Sequence, residues 1–151
     1  MRRFLLPAAA VTLAGVAAVV VVLLFRGGEE LTRGEYTARI EAICEEYDAK
    51  LRDVPSPVGL ANSELIAQSV DRALTLIRER GERYRAVPVP DGIEARVATL
   101  FARSGEAMGR LEAAREAARA GKLRESAAAV GEFVSLSQEA ERLARELGIE
   151  C

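Results

Sequence analysis

Histidine is absent from this 151-residue chain. That removes Ser-His-Asp and Cys-His catalysis, His-ligated haem, most zinc sites and the Glu-x-x-His motif of catalytic di-iron bundles. Tryptophan is missing too, and three Tyr with four Phe leave little from which to build a stacking platform for bases or sugars. An excess of positive charge is also lacking, since 21 basic and 23 acidic residues give a net charge of -2. Nucleic acid is therefore not an expected partner. Only Lys50 and Lys122 are lysine, and the abundance of Ala and Arg reflects GC-rich coding rather than selected chemistry. The carboxylates left for catalysis, such as Glu41, Glu45 and Asp48, are expected on the solvent side of a helix. The chain thus reads as a non-enzyme, with no catalytic, cofactor-binding or metal-binding residue to name and no cofactor implied.

What is present begins with an uncharged run from Phe4 to Phe25, FLLPAAAVTLAGVAAVVVVLLF. At about 1.5 Å per residue it spans roughly 33 Å, enough for a hydrocarbon core of about 30 Å. Pro7 falls in the first turn, where its missing N–H has no intrahelical partner to lose. A cleaved signal peptide is the competing reading, because Met1-Arg2-Arg3 also makes a positive leader. The run ends in Val22-Leu23-Leu24-Phe25-Arg26 without a small-residue cleavage pair, so an uncleaved anchor is expected. Arg2 and Arg3 on one side, against Glu29 and Glu30 on the other, place the N-terminus in the cytoplasm and the rest outside the cell membrane. Ala10, Ala14 and Ala18 form a small-residue stripe that would let two anchors pack closely, although chance accounts for it in so Ala-rich a segment.

Beyond a linker at 26–31, four amphipathic segments follow one another. Thr32-Arg33-Gly34-Glu35 reads as a capping box, and Tyr36, Ile40, Ile43, Cys44, Tyr47, Leu51 and Val54 recur at helical steps until Pro55 and Pro57. A second helix opens near Asn62 and carries Ile66, Val70, Ala73, Leu74, Ile77, Gly81 and Tyr84 to about Val87, before Pro88 and Pro90. Asp91-Gly92-Ile93-Glu94 is expected to cap the third, whose stripe is Val97, Leu100, Phe101, Met108 and Leu111, ending at Ala120-Gly121. The fourth carries Leu123, Ala127, Val130, Val134, Ala140, Leu143 and Leu147, with Gly148-Ile149 as a Schellman ending. No segment has the period of a strand. The expected fold is all-α: a transmembrane helix at 1–25, then an antiparallel up-down-up-down four-helix bundle over 32–151. Charges at helical spacing (Glu46 and Lys50, Asp48 and Arg52, Glu79 and Arg83, Glu106 and Arg110, Glu141 and Arg145) read as solvated intrahelical pairs.

Cys44 lies on the apolar stripe of the first helix and Cys151 is the last residue. In an oxidising compartment a disulfide between them is the natural expectation. With the third helix near 30 residues and the second and fourth near 25, the fourth should stop about 8 Å short of the start of the first, leaving Ile149-Glu150 to climb the rest. Glu45 and Glu46 beside Cys44 disfavour a thiolate, so the role is structural rather than redox catalysis. Gly105 and Gly109 each cost about 1 kcal/mol relative to Ala in a helix. Close packing against Ala128 or Gly131 is the expected reason, with a cavity as the alternative.

The anchor segment, the Cys partway along the first helix, the Pro-containing break before the third, the Ala120-Gly121 turn and the terminal Leu-Gly-x-x-Cys from Leu147 to Cys151 together resemble small uncharacterised extracytoplasmic helical-bundle proteins of high-GC Gram-positive bacteria. Such proteins often carry Asp after the Ala-Gly, where this chain has Lys122, a departure that touches turn chemistry. The resemblance implies fold and location and carries over no functional residue. Function is then expected to be that of a non-catalytic, membrane-anchored envelope protein acting through a protein partner. Binding of a small ligand in the bundle core is the alternative. A receptor with its own output is disfavoured, because only Met1, Arg2 and Arg3 would remain in the cytoplasm.

Overall fold

The computed structural model describes residues 30–57, 60 and 62–151. The anchor expected at 1–25 and most of the linker expected at 26–31 lie outside the described residues, and no described helix is long and apolar enough to cross a membrane. Leu31–Cys151 forms one compact, all-helical unit. Its helices are α1 (Arg33–Arg52), α2 (Ser63–Arg85), α3 (Glu94–Arg119) and α4 (Leu123–Glu146).

Local chemistry sets most of these limits. The Thr32 hydroxyl accepts from the Glu35 amide while the Glu35 carboxylate accepts from the Thr32 amide, so the capping box satisfies donors that the first turn leaves orphaned. Asn62 does the same for Glu64 at 2.8 Å. The expected Asp91 cap of α3 does not form: Ile93 occupies the cap position without a side-chain hydrogen bond and is buried in the core. Gly92 turns the chain at a φ of 85°, so Ile93 enters the apolar interior and burial fixes the start in place of a polar cap. Gly121 and Gly148 adopt φ values of 72° and 79°. The Lys122 amide reaches Ala117 O and the Ile149 amide reaches Ala144 O, which makes both helix ends Schellman turns. Lys122 caps α4 without a side-chain hydrogen bond to the backbone and pairs with Glu125 instead.

Helices adjacent in sequence pack against each other, α3 with α4 most extensively, then α2 with α3, then α1 with α2. Ion pairs between helices give the direction. Glu46 and Asp48 meet Arg83 and Arg80, Asp71 and Arg78 meet Arg119 and Glu112, and Arg103 and Arg110 meet Glu139 and Glu132. In each set the numbers rise on one helix as they fall on the other, so neighbours are antiparallel. These pairs also correct the expected charge pattern. Glu46 with Lys50 forms at 2.7 Å, but Asp48, Arg83 and Arg110 turn to the neighbouring helix, where an opposite charge already stands. Each exposed pair contributes little to stability.

Two apolar clusters make the core. One gathers Tyr36 and Ile40 of α1, Ile93 and Val97 at the start of α3, and Leu147 and Ile149 after α4. The other joins Ile66, Ala67, Val70 and Leu74 of α2 to Leu111 and Ala118 of α3. The inward face of α4 departs from the expected stripe. Leu123 and Val134 are 43% and 45% exposed, while Ser126 is 1% exposed and Phe133 packs on the second cluster. The rows differ by one residue, because the larger Phe133 takes the inward place and displaces Val134 to the flank.

Candidate ligand-binding cavity

Residues 147–151 return along α1 as a clasp. Arg33, at the start of α1, donates through Nε to Leu147 O (3.3 Å) and through Nη2 to Glu146 O (3.2 Å), so a cation meets the carbonyl end of α4, where the helix dipole favours it. Glu41 then accepts the Glu150 amide at 3.0 Å. Cys44 and Cys151 are joined in a disulfide with Cα atoms 5.7 Å apart. Partners 33, 41 and 44 on α1 rise with 147, 150 and 151, so the tail runs parallel to α1.

The expected pairing of the cysteines is present, but its route differs. α3 has 26 residues and α4 has 24, so α4 does not stop short. It ends level with Arg33, and Gly148 reverses the chain so that the extended tail makes the whole climb. At about 3.3 Å per residue against 1.5 Å on the helix, a few extended residues cover the eleven helical positions from Arg33 to Cys44.

Inside this clasp the four helices do not close. A cavity of about 320 Å³ borders both apolar clusters. Its apolar wall is Tyr36 and Ile40 of α1, Ile77 of α2, Phe101 and Met108 of α3, and Phe133 of α4, and Ile149 and Cys151 of the tail also line it. Small or short residues (Gly81, Gly105, Ala107, Ser137 and Ala140) keep it open. A methyl group placed on Gly105, Gly109 or Gly131 would meet no described atom within 4 Å beyond its chain neighbours and its own helix backbone. The expected close packing of these glycines is therefore absent, and Gly105 borders open space.

The polar groups show what chemistry is available. Tyr84 Oη lies 2.7 Å from Cys44 Sγ. A disulfide sulfur carries no proton, so the phenol is the donor. Burial raises the pKa of Tyr84 above the ordinary phenol value, with Arg80 pulling the other way, and burial alone raises that of Tyr36. Both stay neutral at neutral pH and act as wall and donor rather than base. Asp48, expected on the solvent side, is half-buried, lines the cavity and pairs with Arg80 at 3.3 Å. Glu41 serves the clasp. Glu45 is exposed.

Several lining residues, Phe133, Ser137 and Arg85 among them, were not singled out by the periodicity. Phe133 and Val134 are adjacent and both apolar, so hydropathy alone does not choose between them. The signal for the observed face is Phe133, Ala140, Ala144 and Leu147, interrupted by Ser137. Set against protein-family models, curated proteins and solved structures, the chain matches none of them.

Proposed function

We propose that this protein is a non-catalytic carrier or sensor that holds a small, largely apolar ligand in the core of its helical bundle, outside a membrane to which its N-terminal segment is anchored. The supporting observation is the cavity. At about 320 Å³ it lies within the range of small-molecule sites, concave and mostly apolar with a few polar groups. It is about twice an engineered apolar cavity of 150 Å³ that accepts benzene, which scales to a ligand of about a dozen heavy atoms. The anchor rests on the uncharged run from Phe4 to Phe25 and the outward orientation on the flanking charges. A cross-link between Cys44 and Cys151 suits the oxidising side of such a membrane.

Met108 provides the test, because the chain has only two methionines and the other is Met1. In full-length protein in phosphatidylcholine nanodiscs with a 13C-labelled methionine methyl group, octanol should shift the Met108 signal saturably. Gly105→Leu fills open space on a helix that tolerates Leu better than Gly, so it should fold and abolish the shift. A Met108 signal unmoved by octanol and equally by octanoate, octyl phosphate and octylammonium, at concentrations that saturate the bilayer, would reject the reading.

Action through a protein partner, the other expectation, is favoured by a separate observation. Leu123 and Val134 stand exposed on α4. On that reading a photo-crosslinker at position 134 yields an adduct in native membranes, whereas one at exposed Arg96, on α3, does not. Equal labelling at both positions would remove it.

A further inference from the structure

The charged residues around the cavity are not equivalent, and the difference identifies one end of the ligand. Three arginines line it, all on α2: Arg78, Arg80 and Arg85. Arg78 is bound to Glu112 at 2.5 Å and Arg80 to Asp48 at 3.3 Å, so their charges are already met. Arg85 has no carboxylate within ion-pair distance and no hydrogen-bond acceptor among the described residues. Among the described residues it packs on the face of Phe101, 5.7 Å from guanidinium carbon to ring centre. Its Nη1 lies 3.5 Å from where a methyl group on Gly81 would stand. The side chain therefore folds back by a turn over a residue that has no side chain, and rests on an aromatic ring that is itself cavity wall.

This placement is more than a solvated charge at a helix end needs. A cation in the last turn of α2 gains from the helix dipole wherever its side chain points. Lying over Gly81 and against Phe101 sets a planar fork of N–H donors beside the apolar wall. Guanidinium on an aromatic face is favourable and leaves the edges of the fork, where its donors point, open to an acceptor. Glu82 and Glu141 also line the cavity. Both are exposed, and neither reaches Arg85.

We infer that the ligand is a single-chain amphiphile with an anionic head, a carboxylate or a phosphate, whose head is gripped by Arg85 while its chain lies along Phe101, Met108 and Phe133. The inference rests on the ligand-binding reading above and adds the charge and position of the head. An oxyanion matches the guanidinium fork in two parallel hydrogen bonds, and such charge-assisted bonds are about twice as strong as neutral ones. An alcohol of the same chain length brings no opposite charge and has no second oxygen with which to match the fork. The apolar walls serve either molecule equally, and Arg85 is the lining cation not already met by a carboxylate, so it is the group that favours the anion.

The experiment uses full-length protein in phosphatidylcholine nanodiscs, reads the Met108 methyl signal, and corrects free ligand with empty nanodiscs. Octanol, octanoate, octyl phosphate and octylammonium are titrated against wild type and Arg85→Gln. Octanoate or octyl phosphate should bind at least tenfold tighter than octanol, and whichever is tighter identifies the head. Arg85→Gln should bring the anions down to octanol and leave octanol unchanged. Arg85 is exposed at the end of α2, so the variant should keep its fold, checked by helical dichroism and melting. If octanol or octylammonium binds as tightly as the anions, or if Arg85→Gln keeps the anion preference, the inference is wrong while the cavity remains a ligand site. If none of the four shifts Met108, both readings fail.

Discussion

The two ends of the bundle are held by different means. At the end where α1 begins, the last five residues meet α1 through Arg33, Glu41 and a disulfide, and Leu147 and Ile149 are 1% and 2% exposed. Burying two such side chains contributes roughly 1.5–3 kcal/mol each. At the other end α1 finishes at Arg52 and is tied back by the Ser69 hydroxyl, which donates to Pro55 O. The first half of α4 there has Ser126 as its only fully buried residue and leaves Leu123 and Val134 in solvent. No disulfide joins the described helices at that end. The contrast explains how a bundle can keep an open cavity: the clasp holds α1 and α4 in place at one end, so the middle need not be filled for the helices to stay together.

Breaking the clasp is therefore expected to give the largest effect. The disulfide spans 107 residues, and in the chain-entropy account closing a loop of that length stabilises by about 4–5 kcal/mol. Cys44→Ala with Cys151→Ala removes little volume, so the cavity cost is small beside the lost cross-link. The double variant should melt roughly 10–20 °C below wild type. A reductant should lower the wild-type midpoint towards the variant's and leave the variant unmoved. Free-thiol titration of the unfolded, non-reduced protein should find no thiols. Two reactive thiols per chain would show that the clasp is not covalent.

A smaller pair of substitutions sharpens the same contrast through glycine. Gly148 turns the tail at a φ of 79°, where a β-carbon costs roughly 1–2 kcal/mol, and the tail's direction along α1 depends on that turn. Gly148→Ala should destabilise by about that amount. Gly109 sits mid-helix in α3 with no positive φ and open space around it, so Gly109→Ala should stabilise by about 0.5–1 kcal/mol. Chemical denaturation of both reads the two signs. A loss of stability for Gly109→Ala would mean that this glycine is needed for a contact outside the described unit.

Helix limits were legible wherever one residue type has one local job. Thr32 with Glu35, Asn62, Gly121 and Gly148 all act as their positions imply, because caps and left-handed turns depend on neighbours within a few residues. The cysteine pairing was legible from the count and from the compartment expected for it, whereas its path was not, since it turns on where α4 stops relative to α1. Three other features escaped for the same reason. Asp91 gave way to Ile93 because the core pulls an apolar residue into the cap position. Arg83 left Glu79 for Glu46, a choice made by a neighbouring helix. Phe133 and Val134 exchanged places on α4, with Ser126 and Ser137 facing inward and blurring the stripe. The cavity left one trace, Gly105, and open space was the less favoured of its two explanations.

The smallest effect belongs to the capping box, which starts α1 next to the clasp and titrates. Glu35 has its pKa lowered first by the hydrogen bond from the Thr32 hydroxyl, then by the Thr32 amide and the charge of Arg39. A carboxylate with a depressed folded pKa stabilises fully above its unfolded pKa, and the contribution is lost as pH falls through the folded value. Glu46, lowered by Lys50 and Arg83, follows the same sign, so wild-type acid sensitivity alone does not single out the cap. Glu35→Gln does, because Gln can still accept from the Thr32 amide but does not titrate. Wild type should be the more stable of the two at neutral pH, and the gap should close as pH falls below the ordinary glutamate range, while Glu46 acts equally in both proteins and cancels. Melting curves of the pair over about pH 2.5 to 7, below and above the unperturbed glutamate pKa, measure it. A gap that stays constant with pH would mean that the cap does not depend on the charge of Glu35. In that case a neutral carboxyl serves the cap as well as the carboxylate does, and the bond from the Glu35 amide to the Thr32 hydroxyl carries the start of α1.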